Sequence, residues 1–160
     1  MRAAVITVSD GVSSGTREDA SGDLLAALLA DEGFEVVRRV VPDDRDAIAD
    51  AIAELADEAR LVLTTGGTGL AETDVTPEAT MAVLDRATPG IAEAIRADAI
   101  TKTPHGLLSR GIAGIRDRTL VVNLPGSPGA CRDGFSVLHP ALRHALELLA
   151  GEGRLHHHQT

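Results

Sequence analysis

Residues 61–78, LVLTTGGTGLAETDVTPE, constrain the fold more than any other stretch of the chain. The apolar opening predicts a short buried strand from Leu61 to Thr65, which the cluster Gly66, Gly67 and Gly69 breaks into a loop. Thr76 and Pro77 then have the residue types of a helix cap and a first helical position. A glycine loop between strand and helix lets backbone N–H groups approach a phosphate closely. Thr65 and Thr68 add hydroxyls there, and Asp74 adds a carboxylate able to hold a metal ion. The spacing matches neither GxGxxG nor GxxxxGK[ST], so neither the dinucleotide fingerprint nor the P-loop accounts for it.

The residues before this stretch repeat the strand-then-helix alternation. The run AAVITV, Ala3 to Val8, predicts a strand buried on both faces, ended by Ser9-Asp10-Gly11. The loop from Gly11 to Asp19 is longer than a plain connector and is expected to form a flexible wall of a site. Asp19 or Ser21 can cap a helix reaching about Glu32, with Leu24, Leu25, Leu28 and Leu29 as its buried stripe. Phe34 to Val41 predicts an edge strand, because Arg38 and Arg39 in its middle discourage unwanted pairing. Asp43 or Asp44 caps the next helix, Arg45 to Glu58; one cap suffices, which leaves one of the two acids without a structural duty.

The order β-α-β-α-β calls for a parallel sheet, in which ligands bind beyond the carboxyl ends of the strands. Asp10, Asp43 and Asp74 then fall along one rim. Three carboxylates beside a glycine loop make a candidate site for Mg²⁺ and phosphate; the plainer alternative is three unrelated turn and cap residues.

Helices are expected from Thr76-Pro77 to about Asp85 and from Thr88-Pro89 to about Ile100, with Glu78 suiting the first helix's dipole. Thr101 to Arg110 is irregular, with Lys102 and Arg110 as cations and Ser109 as a hydrogen-bond donor. Gly111–Arg116 and Thr119–Leu124 predict two strands joined by a tight turn at Asp117-Arg118, so one strand runs antiparallel. The glycine- and proline-rich junction Asn123-Leu124-Pro125-Gly126-Ser127-Pro128-Gly129 is a candidate second wall of the pocket. Ala130 to Leu138 predicts a short helix, and Pro140 the start of another.

Composition narrows the functional classes. With 160 residues, 44% of them hydrophobic and 24% charged, the chain suits one domain, residues 1–151, followed by a flexible tail, 152–160, containing His156, His157 and His158. Phe34 and Phe135 are the only aromatic residues, so the core is aliphatic and base stacking has no platform. A net charge of −9 argues against a surface that tracks nucleic-acid phosphates. One cysteine, Cys131, excludes an internal disulfide, and the Ala3–Val8 run is too short for a signal peptide or membrane span. The expected location is cytoplasmic.

With these residues laid out, the chain resembles the molybdopterin-binding family of molybdenum-cofactor biosynthesis, including the molybdopterin adenylyltransferases and the G domain of gephyrin. The matching pieces are Thr7-Val8-Ser9-Asp10, Pro42-Asp43-Asp44, Thr64-Thr65-Gly66-Gly67-Thr68-Gly69, Asp74-Val75-Thr76-Pro77-Glu78-Ala79, Leu108-Ser109-Arg110 and Asn123 to Pro128. One position departs: Thr73 stands where many members carry a basic residue. The resemblance implies a three-layer α/β/α sandwich with a mostly parallel sheet containing one antiparallel strand, and a homotrimer. It also implies ATP- and Mg²⁺-dependent transfer of AMP to molybdopterin with release of pyrophosphate, before hand-over to a metal-insertion enzyme. By that analogy Asp43 and Asp74 are the catalytic acids and the metal ligands. The binding set is Ser9, Asp10, Thr65, Gly66, Gly67, Thr68, Gly69, Glu78, Ser109, Arg110, Asn123, Pro125, Gly126 and Ser127. A noncatalytic pterin-binding or carrier protein on the same scaffold is the alternative.

Overall fold

A computed structural model of the chain describes residues 1–151; the tail with His156 to His158 lies outside the described residues. The strands are β1 (Arg2–Val8), β2 (Glu35–Val41), β3 (Leu61–Thr65), β4 (Arg86–Ala87), β5 (Ala113–Arg116) and β6 (Thr119–Leu124). They form one sheet in the order β2-β1-β3-β6-β5-β4, with β2 at an edge as its paired arginines predict. β1, β2, β3 and β6 pair in parallel. β5 pairs antiparallel with both β6 and β4 and is the one reversed strand among the described residues.

The helices are α1 (Asp10–Ser13), α2 (Ala20–Asp31), α3 (Arg45–Ala56), α4 (Thr76–Val83), α5 (Pro89–Lys102) and α6 (Pro128–Leu149), with a 3₁₀ turn at Pro104–Leu108. Alternation along the strands divides the core in two. Ala3, Val5, Leu61, Leu63, Leu120 and Val122 meet Leu25 and Leu29 of α2, Ile95 of α5, and Phe135, Leu138 and Leu142 of α6. Ala4, Ile6, Val62 and Val121 point the other way, onto Ile48, Ile52 and Leu55 of α3 and Ala79 of α4. The result is a three-layer α/β/α sandwich with a mixed, mostly parallel sheet.

Three local expectations change. The segment after β1 is not a simple loop: Ser9 accepts a hydrogen bond from the Val12 N–H (3.2 Å) and starts the short α1. Gly11 O then accepts from the Thr16 and Arg17 amides (2.9 and 3.1 Å), tying down the chain that follows. The two helices expected on either side of Pro140 are one, because burial of Phe135, Leu138, Leu142 and Leu146 on a single stripe outweighs the one backbone bond that proline cannot donate. Thr76 does not cap α4; it is the first helical residue, and its hydroxyl donates instead to Gly66 O (3.0 Å).

At the amino-terminal ends of the strands a hollow of about 360 Å³ is lined by Met1, Phe34, His139, Leu142 and Leu146. No helix among the described residues is long and apolar enough to cross a membrane.

Candidate functional site

The opposite rim, beyond the carboxyl ends of β1, β2, β3 and β6, holds an open cleft of about 400 Å³. Each wall follows from a local sequence device. Val8 and Ser9 end β1, Asp43 follows β2, and Thr65, Gly66 and Gly67 end β3. Two helices begin at the cleft: α2, capped by Asp19 on the Gly22 N–H (3.0 Å), and α6, capped by Ser127 on the Ala130 N–H (3.3 Å). The first amides of a helix have no partner within it and carry its positive dipole end, so both starts favour an anion.

The chain turns sharply after β3 because Gly66 and Gly67 adopt φ of 101° and 69°, which side-chain-bearing residues rarely reach. Any Cβ on Gly66 would collide with Val8 O of the neighbouring strand. Behind the turn a buried polar relay holds it. Asn123 donates to Thr64 Oγ1 and Thr80 Oγ1 (both 3.0 Å) and accepts from the Ile112 N–H (3.1 Å). Thr80 donates to Thr76 O (2.7 Å), and Thr76 in turn holds Gly66 O.

Asp44 caps α3 by accepting from the Ala47 N–H (2.8 Å), which leaves Asp43 free. Asp43 and Asp10 clasp each other's backbone: Asp10 N–H donates to Asp43 Oδ2 (3.1 Å) and Asp43 N–H to Asp10 Oδ1 (2.8 Å). Partial burial raises the Asp43 pKa above the ordinary carboxyl value. The Asp10 N–H offsets part of that, and the charges of Asp10 and Asp74 add to the rise. Asp74 faces the same cleft, its Oδ2 accepting from the Ala71 N–H (3.1 Å).

The loop carrying Asp74 is stapled by Arg110. Its Nε donates to Gly69 O (2.8 Å), Nη2 donates to Asp74 O (2.6 Å), and Nη1 pairs with Glu78. The hydrogen bond from Arg110 is the main reason the Glu78 pKa falls below the usual carboxyl range. Under the cleft floor, Thr65 Oγ1 donates to Pro125 O (2.8 Å) and Cys131 Sγ to the same carbonyl (2.8 Å); burial pushes the Cys131 thiol up to about 11.

Of the expected site residues, the structure brings Ser9, Asp43, Thr65, Gly66, Gly67, Asp74, Gly126 and Ser127 to the cleft lining, with Asp10 adjoining through Asp43. It does not bring Thr68, Gly69, Glu78, Ser109, Arg110, Asn123 or Pro125 there. Arg110 spends its donors on the loop and Asn123 is buried in the relay, so both shape the site from behind. Lys102 is drawn off by Asp98 and Asp133.

Sequence reasoning missed Thr7, Arg17 and Asp19 as site-forming residues. Asp19 was legible only as a cap. In the fold it also accepts from Thr7 Oγ1 (2.8 Å) and Arg38 (2.8 Å), contacts that exist only once β1 and β2 stand beside α2. The absence of a side chain at Gly22 makes room for this cluster.

Residues 4–144 match the family model described as a probable molybdopterin binding domain. The chain is 38% identical to the molybdopterin adenylyltransferase of Helicobacter pylori over 92% of its own length and 86% of that protein's. It is 41% identical to gephyrin of Dictyostelium discoideum over 91% of its length, but spans only 22% of that longer protein. Among solved structures, the molybdopterin biosynthesis enzyme MoaB of Thermus thermophilus superposes with a TM-score of 0.87 at 45% identity, over 94% of this chain and 96% of that one.

Proposed function

This chain belongs to the molybdopterin-binding domain family of molybdenum-cofactor biosynthesis, and from that premise we propose that it is an adenylyltransferase moving AMP from ATP to molybdopterin. The observation that carries the reading is the meeting of Asp43, Asp74, the Gly66 turn and two helix starts around one cleft. In the reaction, a terminal phosphate oxygen of molybdopterin forms a bond to the α-phosphorus of ATP. The bond from that phosphorus to the α,β-bridging oxygen breaks, and pyrophosphate carries off the electron pair.

The α2 and α6 starts and the main chain at Gly66-Gly67 bind and orient the phosphates. Asp43 and Asp74 supply carboxylate oxygens. Their fit to Mg²⁺ rests on both carboxylates lining one cleft, where a hard cation would relieve the cost that burial, and then the charges of Asp10 and Asp74, put on ionised Asp43. No cluster of three or more potential His, Cys, Asp or Glu ligands occurs among the described residues. Two carboxylates suit Mg²⁺, which commonly draws its other ligands from water and substrate phosphates. When bound, Mg²⁺ offsets the charge that builds up on the transferring phosphate. Asp10 holds Asp43 in place through the backbone clasp, and Arg110 holds the Asp74 loop.

The test is pyrophosphate release from ATP, Mg²⁺ and molybdopterin. Asp74→Asn is expected to lose roughly 100-fold or more in rate, by analogy with loss of one preorganised electrostatic group, with an unchanged circular dichroism spectrum. Tight molybdopterin binding without any pyrophosphate release would instead mark the noncatalytic carrier. The reading includes a cytoplasmic homotrimer that hands its product to a metal-insertion enzyme. Exposed Leu70, Leu107 and Leu108 offer apolar surface for a subunit contact, which sedimentation equilibrium would test.

A further inference from the structure

The cleft that is to receive polyphosphate is itself acidic. Glu18, Asp19, Asp43 and Asp74 line it, and Arg17 is the one cation among the described residues that line it. Asp19 is answered by Arg38 from the edge strand (2.8 Å), but the other acids add repulsion for an anionic guest. Arg17 differs from the arginines committed to structure. Arg2, Arg38, Arg39 and Arg110 are engaged by Glu35, Asp19, Glu54 and Glu78. The Arg17 guanidinium has no hydrogen-bond or ion-pair partner among the described residues.

Its position is nevertheless built. The Arg17 N–H donates to Gly11 O (3.1 Å), and the hydroxyls of Ser14 and Thr16 donate to the same carbonyl (3.2 and 3.1 Å). The aliphatic stem of Arg17 lies across Gly11, where a Cβ would stand 2.7 Å from Arg17 Cδ and 2.9 Å from Cγ. Gly11 thus acts as a shelf that seats the stem of this exposed residue of the cleft lining.

We infer that Arg17 is the residue that meets a substrate phosphate in this cleft, a role that rests on the adenylyltransferase reading. A guanidinium with all its donors open presents a planar fork matched to two phosphate oxygens. The phosphate can belong to ATP or to molybdopterin, and the two arms of one experiment separate them.

Titration calorimetry with ATP and Mg²⁺, and separately with molybdopterin, is to be run on wild type, Arg17→Gln, Arg17→Lys and Arg118→Gln. Arg118 lies in the β5–β6 turn on the opposite rim and serves as the charge-matched control. Arg17→Gln is expected to weaken one ligand roughly tenfold or more, the usual size for a charge-assisted hydrogen bond. Arg17→Lys should recover part of the loss, and Arg118→Gln should bind as wild type. The melting temperature of Arg17→Gln should stay within about 1 °C of wild type, since no folded-state partner is lost. Arg17→Gln affinities within twofold of wild type for both ligands would overturn the inference alone. Failure of the wild type to bind either ligand would overturn the adenylyltransferase reading and this inference with it.

Discussion

At the scale of single residues, the division of labour between Asp43 and Asp44 governs the site. The sequence shows that one cap is enough; which acid is released depends on Asp10 arriving from β1 to clasp Asp43, a contact 33 residues away in the chain. The freed acid is a liability to the fold. Its pKa is raised, so ionised Asp43 costs the folded state more than the unfolded one. That cost is absent below the ordinary Asp value of about 3.9 and fully present once pH exceeds its folded value. Asp43→Asn keeps an oxygen to accept from Asp10 N–H but removes the charge. Its melting temperature is expected to exceed that of wild type at pH 7, with the difference vanishing toward pH 3, while adenylyl transfer is lost. Thermal unfolding across that pH range checks the sign, and an unchanged melting temperature at pH 7 would refute the account.

At the scale of elements, the sheet and its crossovers were largely legible, because aliphatic runs such as Ala3–Val8 and Leu61–Thr65 and the stripe Ile48, Ile52, Leu55 carry their period openly. The continuous α6 was not, since Pro140 is a local stop signal that only tertiary burial overrides. The loop of residues 68–74 is another element whose shape comes from elsewhere. Arg110 reaches it from 41 residues away, and a sequence reading sees only a cation near a phosphate motif. Arg110→Ala should therefore slow turnover roughly tenfold or more through misplacement of Asp74, and hydrogen exchange at residues 69–74 should accelerate. Glu78→Gln should loosen the same loop only where Glu78 is ionised. Its lowered pKa means that the ion pair contributes above the ordinary Glu value near 4.3 and is lost as pH falls through the folded value. Equal exchange rates in wild type and Arg110→Ala would remove the staple from the mechanism.

At the scale of the whole molecule, the core is closed over aliphatic side chains, Phe135 and one thiol. Cys131 is fully buried beneath the cleft floor, and its thiol is held at about 11. A thiol reagent at pH 8 is expected to label it on the order of 1000-fold more slowly in the native protein than in denaturant, in step with global opening. Fast labelling of the native state would show that the floor opens on its own. The sequence could not place this residue, because its partners Thr65 and Pro125 belong to two other strands' ends. The hollow at the far end of the sheet has a consequence of its own. Met1 and Leu146 line it together on the side away from the cleft, so a loss of packing there reaches the ligand's doorway only through the length of the sheet.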